Sequence, residues 1–248
     1  YMGVDKYDAM INFCENGNYT YEYLNDDAVL YAYNTVKQIA DPSYSVKGSE
    51  GFQHTPAQQD FLRGAPVFKP NGDWIETEMR SSAADSGITQ NVKFLPTPIV
   101  SELGVKLRLA GSAATAEEHE NLLVALVTAI DDGKTDAEIK ATYANLSDAQ
   151  IKAVREARSV VYTLGASHRI YIPTYSKAKT ACYNFVRFMA SDEGIKIFRK
   201  YAGSHSPFEY TVQPENEELT GFQKSQDKVL KNCSLIYATI TKSPIRAY

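Results

Sequence analysis

The sequence has little of what marks several large functional classes. Its three cysteines (Cys14, Cys182 and Cys233) are widely spaced and form no Cys-x-x-Cys pair, so they indicate neither a zinc site nor a disulfide framework. No apolar run approaches the length that spans a bilayer, and the longest, at 122–130, is typical of one helix. A net charge of −4 without a cluster of Lys and Arg argues against nucleic acid as a partner.

The sequence patterns of common enzyme classes are missing as well. It contains no Gly-x-Ser-x-Gly elbow for a Ser-His-Asp triad and no phosphate-binding glycine pattern. A glycoside hydrolase needs two positioned carboxylates, and no pair of Asp or Glu stands out. The adjacent acidic pairs at 117–118 and 131–132 fall at predicted helix ends, where capping and the helix dipole account for them. We therefore expect a protein without catalytic residues, metal or cofactor.

Aromatic side chains are present in an uneven mixture of seventeen Tyr, ten Phe and the single Trp74. Tyr combines a flat apolar face with a hydroxyl group, which suits surfaces that meet sugars or other polar ligands. Most of the tyrosines are equally well explained as fillers of half-exposed positions. The composition therefore allows a sugar-binding surface without requiring one.

Helix start signals recur along the chain. A Ser or Thr followed three residues later by Glu or Gln predicts helices that begin at Thr55, Thr115, Thr135 and Ser147. The last three predict a run of three helices over 115–164. Apolar spacing predicts further helices over 26–40, 176–190, 191–203 and 221–240, and strands over 65–69, 92–95 and 169–172. Short strands alternating with helices indicate an α/β fold.

Two stretches carry a family resemblance. The first, 57–74, reads Ala-Gln-Gln-Asp-Phe-Leu-Arg-Gly-Ala-Pro-Val-Phe-Lys-Pro-Asn-Gly-Asp-Trp and is followed by Val-Lys-Phe-Leu-Pro-Thr at 92–97. The second, 169–203, contains Arg-Ile-Tyr-Ile-Pro, Ser-Lys-Ala-Lys, Ala-Cys-Tyr-Asn-Phe-Val-Arg-Phe and Ser-Asp-Glu-Gly in that order. Together they resemble the bacterial extracellular solute-binding protein family 1, the maltose-binding-protein-like proteins of carbohydrate ABC transporters. The resemblance covers about half of the chain.

The resemblance implies an α/β, two-lobed, periplasmic-binding-protein type II fold that is incomplete here and carries a three-helix insertion. It assigns residues 1–98 to part of the C-terminal lobe, 99–164 to the insertion, 165–213 to a hinge crossing with part of the N-terminal lobe, and 214–248 to a helical return. We expect this chain to lack the start of a longer protein, because it begins with Tyr and has no leader.

The implied function is capture of a sugar or oligosaccharide between two lobes that close by hinge motion. The closed form delivers its ligand to the membrane permease of an ABC transporter. The resemblance implies a monomer at the extracellular face of the cell membrane or in a periplasm, attached to the membrane only through a lipid anchor on the missing N-terminus. No residue need perform chemistry.

The resemblance also implies site residues. Trp74 stacks on the sugar in this reading, although Trp is also commonly a buried packing residue. Asn71 and Asp73 flank it and can bind hydroxyl groups, but both are ordinary turn formers. Further candidates lie in two other segments. These candidates are Gly165, Ser167 and His168 at the expected lobe crossing, and Ser204 and His205 after a helix.

These further candidates have plainer explanations. Gly165 is also suited to a helix C-cap, His168 to a solvated strand start, and the segment after Gly203 to a surface loop. Two functional alternatives stay open. One is a binding protein for a polyamine or peptide, and the other is a non-catalytic surface adhesion module. An acidic cleft would favour a polyamine, and Glu76 and Glu78 after Trp74 keep that ligand open.

Overall fold

The computed structural model describes residues 1–12, 14–15, 18–19, 22–89, 91–163, 170–204, 206, 208, 210 and 219–238. Within these ranges the chain is mostly helical, with very little sheet. It divides into two compact units, each assembled from separate segments. Unit 1 comprises Tyr1–Thr35, Pro96–Ser167 and Leu230–Tyr248, and unit 2 comprises Val36–Leu95 and His168–Val229.

Unit 1 contains five complete α-helices among its described residues and two pairs of short strands. The helices are α1 (Val4–Asn12), α6 (Glu102–Lys106), α7 (Ala116–Asp131), α8 (Asp136–Thr142) and α9 (Asp148–Arg158). The strands β1 (Cys14–Glu15) and β2 (Asn18–Tyr19) are antiparallel, and β3 (Val160–Thr163) and β4 (Leu235–Ala238) are parallel. Helices α2 (Asp27–Ile39) and α12 (Gly221–Lys231) have residues in both units.

The predicted starts of α7, α8 and α9 are confirmed. The hydroxyl of Thr115 accepts from the backbone N–H of Glu118, and the Glu118 carboxylate accepts from the Thr115 backbone N–H at 2.7 Å. Thr135 and Ser147 make the same reciprocal capping box. The hydrogen bond from the Thr115 backbone holds the pKa of the Glu118 carboxyl below its usual value. Each box satisfies two N–H groups that a helix start otherwise leaves unpaired.

The core of unit 1 lies between α6, α7, α8 and α9. Its buried apolar side chains are Leu103, Leu109, Leu123, Leu126, Ile139, Leu146, Ile151 and Val154. Gly104 permits the close approach of α6 to α7, because a Cβ atom at this position would lie 2.7 Å from the carbonyl oxygen of His119. The His119 ring is itself buried and accepts a hydrogen bond from the Ala110 backbone N–H at 3.1 Å.

The parallel pair of β3 and β4 corrects two helix predictions. The sequence predicts that the third helix of the run reaches about 164 and that the last helix reaches about 240. In the structure α9 ends at Arg158 and α12 ends at Lys231. Every residue of β3 is β-branched or aromatic, as are the two central residues of β4, Ile236 and Tyr237, and such residues favour strands. The pair begins where the Ser159 carbonyl oxygen accepts from the Ser234 N–H at 2.8 Å, while the two hydroxyl groups lie 2.6 Å apart.

Unit 2 contains α3 (His54–Leu62), α4 (Ile75–Glu78), α5 (Arg80–Asp85), α10 (Lys179–Met189) and α11 (Asp192–Ala202) as its complete described α-helices. Its core is small. The buried side chains are Ile75, Met79, Val92 and Phe222, and those packed against them are Phe61, Leu62 and Phe94. The rings of Phe94 and Phe222 meet edge to face with centroids 6.0 Å apart. The predicted cap of α11 at Ser191 and its left-handed end at Gly203 are confirmed.

The three predicted strands are wrong in the described residues. Residues 65–69, 92–95 and 170–172 have no strand partner. Pro66, Pro70 and Pro173 have no N–H to donate to a ladder, and the N–H of Phe94 donates instead to the Ser225 hydroxyl at 2.7 Å. The predicted α/β class therefore reduces to a helix-rich fold with a two-stranded parallel sheet.

Two helix details also differ from expectation. Helix α3 begins at His54, so Thr55 is not its cap, and no side chain caps it. Tyr33 and Val36 belong to the apolar spacing that predicts a helix over 26–40, but their side chains are 72% and 63% exposed. Among the described residues, no helix is both long enough and apolar enough to cross a membrane.

The packing of the unit 1 core predicts how two substitutions in α7 change the free energy of unfolding. Leu126→Ala removes a side chain that is 0% exposed and should lower the free energy of unfolding by about 2–5 kcal/mol. Val124→Ala, on the same helix but 58% exposed, should change it by less than about 0.5 kcal/mol. Urea denaturation of both variants measures the two changes. Equal losses would contradict the packing of α7 described above.

Candidate functional site

Trp74 lies immediately before α4, at the end of the Asn71–Gly72–Asp73 segment. Its side chain is 48% exposed, whereas the next residue, Ile75, is 3% exposed and belongs to the core of unit 2. The indole ring packs against Gly72, since a Cβ atom there would lie 2.2 Å from the nearest ring atom. The predicted ligand residue is therefore a surface aromatic residue held against its own turn, outside the buried core.

A buried amide connects this turn to the helices on either side of it. Gln58 on α3 is 1% exposed, and its Nε2 donates to Glu78 Oε2 at 2.7 Å and to Asn71 Oδ1 at 3.4 Å. The other carboxylate oxygen of Glu78 lies 3.9 Å from His54 Nε2. These hydrogen bonds tie the 71–74 turn and the end of α4 to α3.

Helix α4 also contacts a segment far away in the sequence. Thr77 Oγ1 donates to the carbonyl oxygen of Ala202 at 2.9 Å, across 125 residues. Gly203 adopts a left-handed conformation with φ of 71°, and a Cβ atom there would lie 2.8 Å from Thr77 Oγ1. Close approach and backbone conformation thus both require glycine at 203. The contact brings the segment that contains Ser204 to α4.

The start of α12 completes this arrangement. The Thr220 hydroxyl donates to Glu76 Oε2 at 2.9 Å, and Gln223 Nε2 donates to the Gly203 carbonyl oxygen at 3.5 Å. Helices α4, α11 and α12 therefore meet next to the Trp74 turn. Their side chains present carboxylate, hydroxyl and amide groups, which are the groups that bind sugar hydroxyls.

A buried charge cluster binds the side chain of Tyr210. The Arg199 side chain is 4% exposed, lies 3.6 Å from Asp227 Oδ1 and donates to the Tyr210 hydroxyl. Burial raises the pKa of Tyr210, and the nearby Arg199 charge opposes that shift. A buried guanidinium group needs such partners, because an unpaired charge is very costly away from water. The cluster links α11 and α12 to Tyr210.

The structure describes half of the predicted site residues. Asn71, Asp73, Trp74 and Ser204 lie in unit 2, and the Thr77–Ala202 contact joins their two segments. Gly165, Ser167, His168 and His205 lie outside the described residues. Sequence reasoning missed Gln58, Thr77 and Thr220, and it considered Glu78 only as part of an acidic cleft for a polyamine. It read Gln58 as a capping residue, and no local signal separates it from its neighbour Gln59.

Other kinds of site find little support in the described ranges. No group of three or more His, Cys, Asp or Glu there could hold a metal ion. Cys182 and Cys233 are free, half-buried thiols. A depression lined by Gln59, Leu62, Arg63, Ser82, Ala83, Ser86 and Ile88 encloses only about 10 Å³ and shares no lining residue with the Trp74 turn. Cavities that bind organic ligands enclose about 300–1,000 Å³.

The packing of Trp74 on Gly72 predicts a spectroscopic change. In Gly72→Ala the new methyl group displaces the indole ring, so the emission maximum should shift and acrylamide should quench the only Trp differently. Gly51→Ala is the matched control, because no atom lies within 4 Å of its added Cβ. Identical emission and quenching in wild type and Gly72→Ala would contradict this placement of the ring.

Comparisons with known proteins found no relative of this chain. The chain matches no family model, no curated protein and no solved structure. The resemblance to the solute-binding proteins consequently stays a prediction from the motifs quoted above. The roles proposed for the site residues are therefore argued from the chemistry of their side chains and from their contacts in unit 2.

Proposed function

We propose that the chain is part of an extracellular solute-binding protein that captures a sugar or oligosaccharide between two lobes. The ligand is then delivered to the membrane permease of an ABC transporter. The order of the motifs over 57–97 and 169–203 supports the proposal. The finer fold assignment, a periplasmic-binding-protein type II fold with an inserted helical segment at 99–164, belongs to it, as do the extracellular or periplasmic location and the absence of catalysis.

The observation that carries the proposal is the exposure of Trp74. Sugars present flat C–H faces and rims of hydroxyl groups, so they bind to an aromatic platform flanked by hydrogen-bonding groups. Trp74 has a half-exposed ring, and Asn71 and Glu78 beside it are exposed polar residues. A Trp that served only for packing would be largely buried.

The proposed mechanism needs two lobes that close around the ligand. The chain has two compact units, each assembled from separate segments. Closure would exclude water from the ligand and strengthen its hydrogen bonds. Transport then follows from recognition of the closed form, and no side chain has to act as an acid, base or nucleophile.

A cationic solute such as a polyamine is the second candidate. Asp73, Glu76 and Glu78 place three carboxylates within five residues of Trp74. Carboxylates attract ammonium groups, and the indole face adds a cation–π contact. This ligand would leave the protein class unchanged and replace only the sugar assignment.

Trp74→Ala tests the proposed site. Binding of maltose, maltotriose and spermidine is measured by calorimetry with the wild type, and the variant is then titrated with whichever of these binds. We expect affinity to fall by at least about 30-fold, the effect of removing a central aromatic anchor. The free energy of unfolding should change by less than about 1 kcal/mol, because the ring is half exposed.

Tyr183→Ala is the control for this experiment, since Tyr183 is a similarly exposed aromatic residue of unit 2, at 55%. It should bind like the wild type. Unchanged affinity in Trp74→Ala would remove Trp74 from the site and leave the packing role as its explanation.

A further inference from the structure

Gln58 has an unusual combination of burial and bonding. It is 1% exposed, and its Nε2 makes two hydrogen bonds, to Glu78 Oε2 at 2.7 Å and to Asn71 Oδ1 at 3.4 Å. Its Oε1 atom is buried without a hydrogen-bond partner. An unpaired buried acceptor destabilises a fold, and an apolar side chain of the same length would avoid that cost.

The two hydrogen bonds determine what the neighbouring side chains offer to a ligand. Because Asn71 Oδ1 faces Gln58, the Asn71 Nδ2 group is turned away from it as a donor. Glu78 uses Oε2 toward Gln58, which leaves Oε1 as an acceptor on the side of His54. Both residues are exposed, so the donor and the acceptor can be reached from solvent.

We infer that Gln58 is a positioning residue of the Trp74 site, which fixes Asn71 as a donor and Glu78 as an acceptor for adjacent hydroxyl groups of a sugar. This inference deepens the proposed function and rests on it. A sugar diol requires both roles, because each hydroxyl donates one hydrogen bond and accepts others. The same hydrogen bonds hold the 71–74 turn, and so the indole platform, against α3.

Gln58→Met tests the inference, with Gln59→Met as the matched control. Met has nearly the same length and volume as Gln but cannot donate a hydrogen bond. Gln59 is the next residue of α3, and its Nε2 donates to Ser82 Oγ at 2.8 Å, away from the turn. Affinity for maltose and maltotriose, the emission and acrylamide quenching of Trp74, and the melting temperature are measured for wild type and both variants.

We expect Gln58→Met to bind these sugars at least tenfold more weakly and to show altered Trp74 emission and quenching. Its melting temperature should be unchanged or higher, because the unpaired acceptor has been removed. Gln59→Met should match the wild type in affinity and emission. This split between binding and stability is what a positioning role predicts.

Two results would overturn the inference. One is wild-type affinity and emission in Gln58→Met, and the other is a lower melting temperature with unchanged affinity, which means a structural role only. If the wild type itself binds none of the sugars, the proposed function fails as a sugar assignment, and the inferred donor and acceptor roles fail with it. The Trp74 emission of Gln58→Met then separately decides whether Gln58 holds the turn.

Discussion

The candidate site depends on the hydrogen bond from Thr77 Oγ1 to the Ala202 carbonyl oxygen. This bond attaches α4, and with it Trp74 and Glu78, to the end of α11, where Gly203 allows the close approach and Ser204 follows. The other contacts reinforce the same junction from α3 and α12. This contact, with those of Thr220 and Gln223, holds the segment of Ser204 near α4, whereas Asn71 and Glu78 are held by Gln58 of α3.

The two units differ in how their stability is built. Unit 1 packs eight buried apolar side chains between helices that carry complete capping boxes, so local and tertiary signals agree. Among the described residues, the main core cluster of unit 2 has four such side chains, and the unit also contains buried polar groups such as Gln58 and the Arg199–Asp227 pair. Polar contacts of this kind fix specific geometry more than they add stability, which suits a binding surface.

The sequence predicts those features well that depend on residues close together in the chain. The capping boxes at Thr115, Thr135 and Ser147 depend on residues three positions apart, and all three were correctly predicted. The pairing of β3 with β4 joins residues such as Ser159 and Ser234, 75 positions apart, and the same apolar residues fit a helix when read alone. The Thr77–Ala202 contact spans 125 positions and has no sequence signature. Trp74 became a candidate through the family resemblance of the segment that contains it, but its neighbours in the structure depend on tertiary packing.

The proposed function is capture of a sugar or oligosaccharide, and a thermal-shift screen tests it most directly. The wild-type chain is melted alone and with monosaccharides, oligosaccharides, polyamines and short peptides. A ligand that binds only the folded state stabilises it by about 2.7 kcal/mol at 100 times its Kd. The account predicts a higher melting temperature with one group of sugars. A shift with polyamines alone would contradict the sugar assignment, and no shift with any compound would contradict capture of a solute by this chain.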